Sequence, residues 1–328
     1  MLYDGIRMLD LIKAPIIKDW MKPEDKLFRE RANDYFQRAQ DLGMLPKTVK
    51  DWGIFRDGET SVVYLANPES DPFVVKMALG EKKLLAEAEF LKAWNEKGVK
   101  TPEIYAAFPA TDMLPVSMVV MEYIREKSIH RLIENGGKIS PRLVYDLGHT
   151  LAIMHLCEGE GFGEASGKRG KYETQAEDLN NRILGRKLDY LRENGLISSE
   201  EGSALTVASS ILAAGSVSRV THNDYGLYNL MATEPFTVTD PDPKLGDPLL
   251  DLGNCLNIWE AGYGESMGST NEIIQGYSQV SKIDGKRLAA ARAIQASAKI
   301  RTWSSKGRTE KVHRIHEIMS RELGKMEG

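Results

Sequence analysis

Near residue 125 the pattern of apolar residues changes from mixed strand and helix to mainly helix, and this change constrains the fold more than any other feature. Before it, two runs rich in β-branched and aromatic residues, "TSVVYLA" and "PFVVKMA", flank the turn-rich "NPESD" and predict an antiparallel hairpin. A helix over 80–98 and a strand over 115–124 complete this half. After it, apolar residues recur with helical periodicity over 139–156, 172–194, 199–214, 269–283 and 285–324.

The fold class follows from this order of elements. Residues 1–44 have a helical pattern, so residues 1–124 are predicted to form a helical extension followed by a small β-rich lobe. Residues 125–328 are predicted to form a larger, mainly helical lobe, interrupted by a strand–loop–strand island over 219–242. The sequence therefore predicts an α+β protein of two lobes.

The bulk composition excludes several classes of protein. Of the 328 residues 42% are hydrophobic and 27% are charged, and a net charge of −4 argues against a dedicated nucleic-acid binder. The two cysteines, Cys157 and Cys255, form neither a disulfide framework nor a metal-ligand spacing. The amino terminus lacks the apolar core of a signal peptide, and no run reaches the length of a membrane span. We expect a cytoplasmic protein with no nucleic-acid or membrane partner, and the oligomeric state stays open.

Polar residues collect in one segment of the helical half. "THNDYGLYN", residues 221–229, separates two strand-like stretches and carries Asp224 and Asn229 five positions apart. Further on, "FTVTDPD" ends a short strand in Asp240, and "GDPLLDLGN" begins a helix. A turn alone would explain Asn, Asp and Gly in such a loop. The ordered series is instead typical of phosphoryl transfer, which needs a carboxylate for the attacking hydroxyl and oxygen ligands for Mg²⁺.

This series resembles a known family. H-x-D-x-x-x-x-N, a second Asp about a dozen residues later and then G-D-P-x-x-D-L are similar to the signature of the aminoglycoside phosphotransferase-like kinases, a group that includes the choline kinases. The resemblance covers roughly residues 50–260 and implies the two-lobed protein-kinase-like fold. It also implies that Asp224 is the catalytic base and that Asn229 and Asp240 hold the metal, with Asp242 as the alternative to Asp240.

Two further carboxylates lie where they can support the loop. Asp247 and Asp251 stand four positions apart at the start of the helix in "GDPLLDLGN". We expect them to cap backbone N–H groups and to brace the catalytic loop. His222 and His155 are expected to be structural, satisfied within the protein, rather than to transfer protons.

The first third offers a site for ATP or GTP. "FVVKM" places Lys76 in mid-strand, where the resemblance implies the lysine that holds the phosphates. The helix "AEAEFLKAW" supplies its partner, and the resemblance favours Glu87 over the alternative Glu89.

Two more segments complete the implied nucleotide site. "VVMEYI" resembles the hinge between lobes, where the carbonyl of Glu122 and the N–H of Ile124 would meet the base. "FRDGETSVVY" is a phosphate loop with a single glycine, Gly58, in which Ser61 and Thr60 are the candidate phosphate donors.

One letter of the loop departs from the family. Most members of the family have glycine at the position of Asn223, whereas the choline and ethanolamine kinases have the motif H-N-D. The substrate therefore stays open between two classes of small molecule.

The combined prediction is a kinase that moves the γ-phosphate of ATP or GTP to a hydroxyl of a small molecule. An aminoglycoside-type antibiotic is the first candidate, which would make the protein a resistance enzyme, and a metabolite such as choline, a sugar or a nucleoside is the alternative. A non-catalytic nucleotide-binding pseudokinase is the third hypothesis. A cationic acceptor would need carboxylates beside the site, and Glu260 and Glu265 are the candidates.

Overall fold

Two compact units make up the protein. A computed structural model describes residues 11–18, 21–55, 61–80, 82–166, 168–263 and 269–326. The first unit holds the residues up to Glu96, Lys100–Ile129 and Leu230–Thr239, and the second holds Lys97–Val99, His130–Asn229 and the residues from Asp240 onward. The assignment of nucleotide binding to residues 1–124 and of catalysis to 125–328 stays a prediction.

The first unit is built on a six-stranded antiparallel sheet. Its elements are β1 (Leu11–Ile12), α1 (Pro23–Glu30), α2 (Ala32–Asp41), β2 (Trp52–Phe55), β3 (Val62–Ala66), β4 (Phe73–Ala78), α3 (Lys82–Glu96), β5 (Ile104–Phe108) and β6 (Ser117–Glu122). The strand order is β1-β2-β3-β4-β6-β5. The predicted hairpin is confirmed as β3 and β4, in which Tyr64 lies opposite Val75.

Strand alternation divides the side chains of β4 between the two faces of this sheet. Phe73, Val75 and Met77 are buried in a core that α1 and α2 share. Val74 packs on the opposite face, in a smaller cluster with α3 and β6. Lys76 has the same parity as Val74, so the sequence places its side chain toward α3.

The helix predicted over residues 1–44 is wrong for residues 11–18. There, Leu11 and Ile12 form β1, which pairs antiparallel with β2. The edge of a sheet presents unpaired backbone groups that a short extended segment can satisfy. Within the described residues the first helix begins at Pro23, a residue whose fixed φ and missing N–H suit a first helical position.

The remaining elements are mostly helices of the second unit. They are α4 (Ile129–Glu134), α5 (Pro141–Met154), β7 (Phe162–Ser166), β8 (Arg169–Tyr172), α6 (Gln175–Leu179), α7 (Gly185–Glu193), α8 (Ser199–Ala213), β9 (Arg219–Thr221), β10 (Leu230–Met231), β11 (Thr237–Val238), β12 (Lys244–Gly246), α9 (Pro248–Gly262), α10 (Thr270–Ser278), α11 (Gly285–Ser305) and α12 (Thr309–Gly324). Four strands form an antiparallel sheet in the order β8-β7-β12-β9, and β10 pairs with β11 in the first unit. Within the described ranges every helix is too short or too polar to cross a bilayer.

Two of the predicted helices are interrupted. The pattern over 172–194 divides into α6, a π-helical turn over Asn180–Leu184, and α7, with a capping box at Thr174 that starts α6 only after β8 has ended. The pattern over 285–324 divides into α11 and α12 at Gly307, whose φ of +66° is a left-handed conformation that ends a helix. Both breaks depend on local backbone geometry, which the spacing of apolar residues does not predict.

Candidate active site

The loop after β9 ties Asp224 to Asn229 directly. The chain leaves β9 at Thr221 and forms a single 3₁₀ turn over Leu227–Asn229. That turn brings the Asn229 amide back, so that Nδ2 donates to the backbone carbonyl of Asp224 at 2.9 Å and to its Oδ2 at 3.2 Å. The spacing of five residues therefore has a structural reason, since it lets the side chain of Asn229 return to Asp224 at the start of the loop.

Tyr228 contacts the other carboxylate oxygen. Its hydroxyl donates to Oδ1 of Asp224 at 2.6 Å. Gly226 makes room for the ring, because a Cβ at that position would lie 2.7 Å from a ring carbon of Tyr228. Both oxygens of Asp224 are thus oriented by donors from its own loop.

The environment of Asp224 makes it a better base than an ordinary aspartate. Burial raises its pKa most, and the charge of Asp240 adds to that increase. The Tyr228 hydrogen bond and the positive charge of Lys299 act in the opposite direction. The net result is a raised pKa, which favours proton acceptance from a substrate hydroxyl.

Asp251 braces the start of the loop, as predicted. Its Oδ2 accepts from the backbone N–H of His222 at 2.7 Å, and its Oδ1 accepts from the N–H of Asn223 at 2.9 Å. The ring of His155 lies on the same carboxylate at 3.3 Å and on the Tyr277 hydroxyl at 2.8 Å. His155 is therefore the satisfied core histidine that the sequence predicts.

Asp247 connects α9 to α11. It is the N-cap of α9, where Oδ1 accepts from the N–H of Leu249 at 3.0 Å. Its Oδ2 accepts from Arg287 of α11 at 2.5 Å. The predicted capping role is confirmed, and the ion pair also holds the helix that carries Lys299.

Asn223 has a conformational reason to be there. Its φ is +58°, a region that glycine adopts freely and that asparagine tolerates better than most residues. Its Nδ2 donates to Oδ2 of Asp242 at 2.7 Å, and Lys244 donates to the same oxygen at 2.8 Å. The backbone geometry thus accounts for asparagine at a position where most members of the family have glycine.

The same contacts separate the two candidate metal ligands. Asp242 is half-buried and bound by Asn223 and Lys244, whereas Asp240 is exposed. A carboxylate already neutralised by an ammonium is the weaker ligand for a cation. On this ground Asp240 stays the proposed metal ligand and Asp242 the alternative.

In the first unit, Lys76 and Glu87 form a buried ion pair. The ammonium of Lys76 donates to both carboxylate oxygens of Glu87, at 2.8 and 2.7 Å. The two side chains are only 10% and 3% exposed. Glu89 is exposed, so of the two candidate glutamates α3 turns Glu87 toward the lysine.

The positions of the other residues predicted to bind the nucleotide are described next, and their contacts within the protein do not assign them a role. Ser61 is buried just before β3. Glu122 ends β6 and Ile124 follows two residues later, and their contact with the base stays a prediction. Gly58 and Thr60 lie outside the described residues, and so does Glu265.

Glu260 was predicted to contact a cationic acceptor, but in the structure it is paired with arginines of the protein. It accepts hydrogen bonds from Arg292 at 2.5 Å and from Arg321 at 2.6 Å. These arginines keep the pKa of Glu260 below its usual value, although burial acts against them. The carboxylate is thus already neutralised within the fold.

The family of the chain follows from a comparison of sequence models. The model described as the phosphotransferase enzyme family matches residues 51–285. The chain belongs to this family. The matched segment includes Lys76, the loop that ends at Asn229 and Asp240, and it stops where α11 begins. The predicted resemblance is confirmed, and the protein is a phosphotransferase by family.

Solved structures show the fold of this phosphotransferase. A thermostable mutant of the aminoglycoside phosphotransferase APH(4)-Ia, in ternary complex with AMP-PNP and hygromycin B, is 12% identical, with a TM-score of 0.59 and 87% of this chain and 97% of that chain covered. Spectinomycin phosphotransferase APH(9)-Ia, in complex with ADP and spectinomycin, is 11% identical, with a TM-score of 0.51 and coverage of 89% and 98%. A candidate fructosamine-3-kinase from Haemophilus somnus 129PT is 15% identical, with a TM-score of 0.56 and coverage of 89% and 100%. These likenesses confirm the predicted two-lobed kinase-like fold. A search of curated proteins gives no match.

The donor set of the phosphotransferase fits Mg²⁺. Asn229 carries an amide oxygen and Asp240 a carboxylate, and Nδ2 of Asn229 donates to Asp224. Among the described residues no group of three or more His, Cys, Asp or Glu side chains is arranged around a metal position. One amide and one carboxylate suit Mg²⁺, which keeps water and phosphate oxygens as its other ligands.

Sequence reasoning did not single out two residues beside Asp224. Tyr228 could have been found, because it lies in the same loop and immediately precedes Asn229. Lys299 could not, since it lies on α11, far along the chain, in a stretch with no motif of its own.

Proposed function

We propose that the protein transfers the γ-phosphate of ATP or GTP to a hydroxyl of a small molecule. The observation that carries this proposal is the closed loop in which Asp224 has a raised pKa and is hydrogen-bonded to Asn229. The family match and the nucleotides in the related structures, AMP-PNP and ADP, support it.

In the proposed reaction Asp224 accepts the proton of the substrate hydroxyl. The oxygen forms a new bond to the γ-phosphorus while the bond from that phosphorus to the β–γ bridging oxygen breaks, and the nucleoside diphosphate leaves. Tyr228 and Asn229 keep the carboxylate oriented, and Asp251 keeps the loop in place. Positioning of this kind contributes much of the catalysis of phosphoryl transfer.

The nucleotide is proposed to meet the residues that the resemblance implies. Lys76, held by Glu87, would bind its phosphates, with Ser61 as a further donor. The carbonyl of Glu122 and the N–H of Ile124 would contact the base. Mg²⁺, when bound by Asn229 and Asp240, would neutralise charge on the phosphates.

Two classes of acceptor stand within this proposal. An aminoglycoside-type antibiotic is supported by the related structures with hygromycin B and spectinomycin. A sugar-like metabolite is supported by the related candidate fructosamine-3-kinase and by the arginine pairing of Glu260. A non-catalytic role is disfavoured, because the proposed base, its loop contacts and the buried Lys76–Glu87 pair are all present.

The decisive experiment measures phosphoryl transfer from ATP and from GTP to aminoglycosides, choline and simple sugars. Asp224→Ala should reduce kcat by about 100- to 10,000-fold, because a general base contributes that much, while nucleotide binding persists in a thermal-shift assay. Asp189→Ala, an exposed carboxylate of α7, is the matched control and should leave kcat unchanged. Near-normal turnover of Asp224→Ala would refute the assignment of the base.

A separate test addresses the antibiotic acceptor. If the acceptor is an aminoglycoside, expression of the protein in a susceptible bacterium should raise the inhibitory concentration of that antibiotic, and Asp224→Ala should not. Unchanged inhibitory concentrations, together with transfer to a sugar in vitro, would leave the metabolite as the acceptor.

A further inference from the structure

Lys299 lies on α11, which crosses α9, and its charge interacts with that of Asp224. The helices touch at Gly253, where a Cβ would lie only 3.1 Å from the backbone nitrogen of Arg292. Gln295, one turn before Lys299 on the same face, donates to the carbonyl of Leu250 in the first turn of α9 at 3.2 Å. Lys299 therefore extends toward the region in front of α9, where the catalytic loop lies.

Among the described residues the ammonium of Lys299 has no carboxylate within ion-pair distance, although the charge of Asp224 acts on it from further away. Arg287 and Arg292, on the same helix, form ion pairs with Asp247 and Glu260. In the described part of the chain Lys299 forms no hydrogen bond and no ion pair within 4 Å, although it is half-buried. Placing an unmatched ammonium there costs free energy, which an anionic ligand would offset.

The other charges near Lys299 agree with this view. Burial lowers the pKa of Lys299 most, the charge of Asp224 raises it, and Lys244 and Lys306 lower it. Lys244 is already paired with Asp242, and Glu260 is paired with two arginines. A cationic acceptor next to Asp224 would thus meet ammonium groups, and the carboxylate predicted to receive it is engaged elsewhere.

Lys299 lies outside the part of the sequence that the family has in common. The family match ends at residue 285, and Lys299 lies beyond it. The proposed neutralisation of the transferred phosphate uses residues inside the matched segment. A cation outside that segment is better suited to recognise the acceptor, which differs between family members.

We propose that Lys299 binds an anionic group of the acceptor, a carboxylate or a phosphate, while the acceptor hydroxyl meets Asp224. The inference rests on the phosphoryl transfer proposed above and names its substrate class as anionic hydroxy compounds. Lys299 is then a specificity-determining residue, and the metabolite is favoured over the cationic antibiotic.

The test compares acceptors that share a scaffold and differ in charge. Glucose, glucosamine, glucuronate and glucose 6-phosphate form one series, and glycerol, serinol, glycerate and glycerol phosphate form another, with aminoglycosides as a cationic reference. We expect the anionic members to give the highest kcat/KM. Lys299→Met should lower kcat/KM for those members by roughly 10- to 100-fold, mainly through KM, because a paired charge is lost.

Two controls keep the result interpretable. Lys286→Met removes an exposed lysine of the same helix and should change nothing, and Lys299→Arg keeps the charge and should retain most of the activity. Melting temperatures of all variants exclude a folding defect. Preference for glucosamine or an aminoglycoside, or an equal loss for all acceptors in Lys299→Met, would overturn the proposal.

Failure of the underlying function has a different signature. In that case no acceptor of any charge would be phosphorylated, and the background hydrolysis of nucleotide would not depend on Asp224. Asp224-dependent transfer that is indifferent to acceptor charge would instead overturn only the role of Lys299.

Discussion

Asp224 is subject to opposing effects from the residues around it. Burial and Asp240 raise its pKa, while Tyr228, Lys299 and His222 lower it. A carboxyl whose pKa is higher than usual accepts a proton more readily, but it is ionised over a narrower pH range. By lowering the pKa of Asp224, the hydrogen bond from Tyr228 makes this carboxylate a weaker base but keeps it ionised over a wider pH range.

Tyr228→Phe should shift this compromise in a measurable way. Removing a hydrogen bond that favours the ionised form raises the pKa of Asp224 further. Because the base works only when ionised, the acid limb of the kcat–pH profile should move to higher pH. Tyr190→Phe, on the exposed side of α7, is the control. An acid limb that stays in place or moves to lower pH would contradict this role for Tyr228.

Among the elements, the contact between α5 and α10 is the tightest that bears on the site. A Cβ on Gly148 would lie 1.8 Å from the carbonyl oxygen of Ile273, and a Cβ on Gly276 would lie 2.0 Å from that of Tyr145. Only glycine at both positions permits this approach. The approach in turn lets Tyr277 of α10 reach His155, just after α5, and thus the carboxylate that holds the catalytic loop.

Gly148→Ala should consequently destabilise the protein by about 1–3 kcal/mol or more, because a methyl group is forced into a packed interface. Denaturant unfolding measures the change. Gly262→Ala is the matched control, since a Cβ at that helical position meets nothing within 4 Å and alanine favours helix. Equal stability of Gly148→Ala and the wild type would show that α5 and α10 are not packed this closely.

The strand–helix pair β4 and α3 makes a second prediction at this scale. Lys76→Met leaves Glu87 buried without its ammonium partner, which should reduce the free energy of unfolding by about 3–5 kcal/mol. The double variant Lys76→Met/Glu87→Gln should recover part of this loss. Lys92→Met, an exposed lysine of α3, is the control. Equal losses in the single and double variants would mean that the charge of Glu87 is not the cause.

At the scale of the whole molecule, the path of the chain unites the two proposed metal ligands. The chain passes from Asn229 into the first unit, forms the β10–β11 hairpin, and returns to the second unit at Asp240. Both ligands thus belong to the same unit, although the residues between them do not. Mg²⁺ with nucleotide should stabilise the folded chain by mass action, by about 2.7 kcal/mol at 100 times Kd.

Asp240→Ala should remove the Mg²⁺-dependent part of this stabilisation in thermal-shift measurements. Asp242→Asn should retain it, because the side chain of Asp242 is already bound by Asn223 and Lys244. The reverse pattern would identify Asp242 as the ligand.

A feature could be predicted from the sequence when the residues that form it lie close together along the chain. The β3–β4 hairpin and the placement of Lys76 toward α3 follow from two-residue alternation. The closure of Asn229 onto Asp224 follows from a spacing within one loop. Strands β7 and β8 were not predicted, because their short stretch contains three glycines and lacks a clear alternation.

The sequence by itself determined the kinase-like order of elements, the family and the residues of the proposed catalytic loop, because these depend on neighbours along the chain. The tertiary structure confirmed Glu87 over Glu89 as the partner of Lys76, since both lie on α3 and only burial and the ion pair separate them. It likewise brought Lys299 to Asp224 and paired Glu260 with Arg292, residues that lie far apart in sequence. Charge pairing across such separations is set by how helices cross, and no local pattern of residues encodes that crossing.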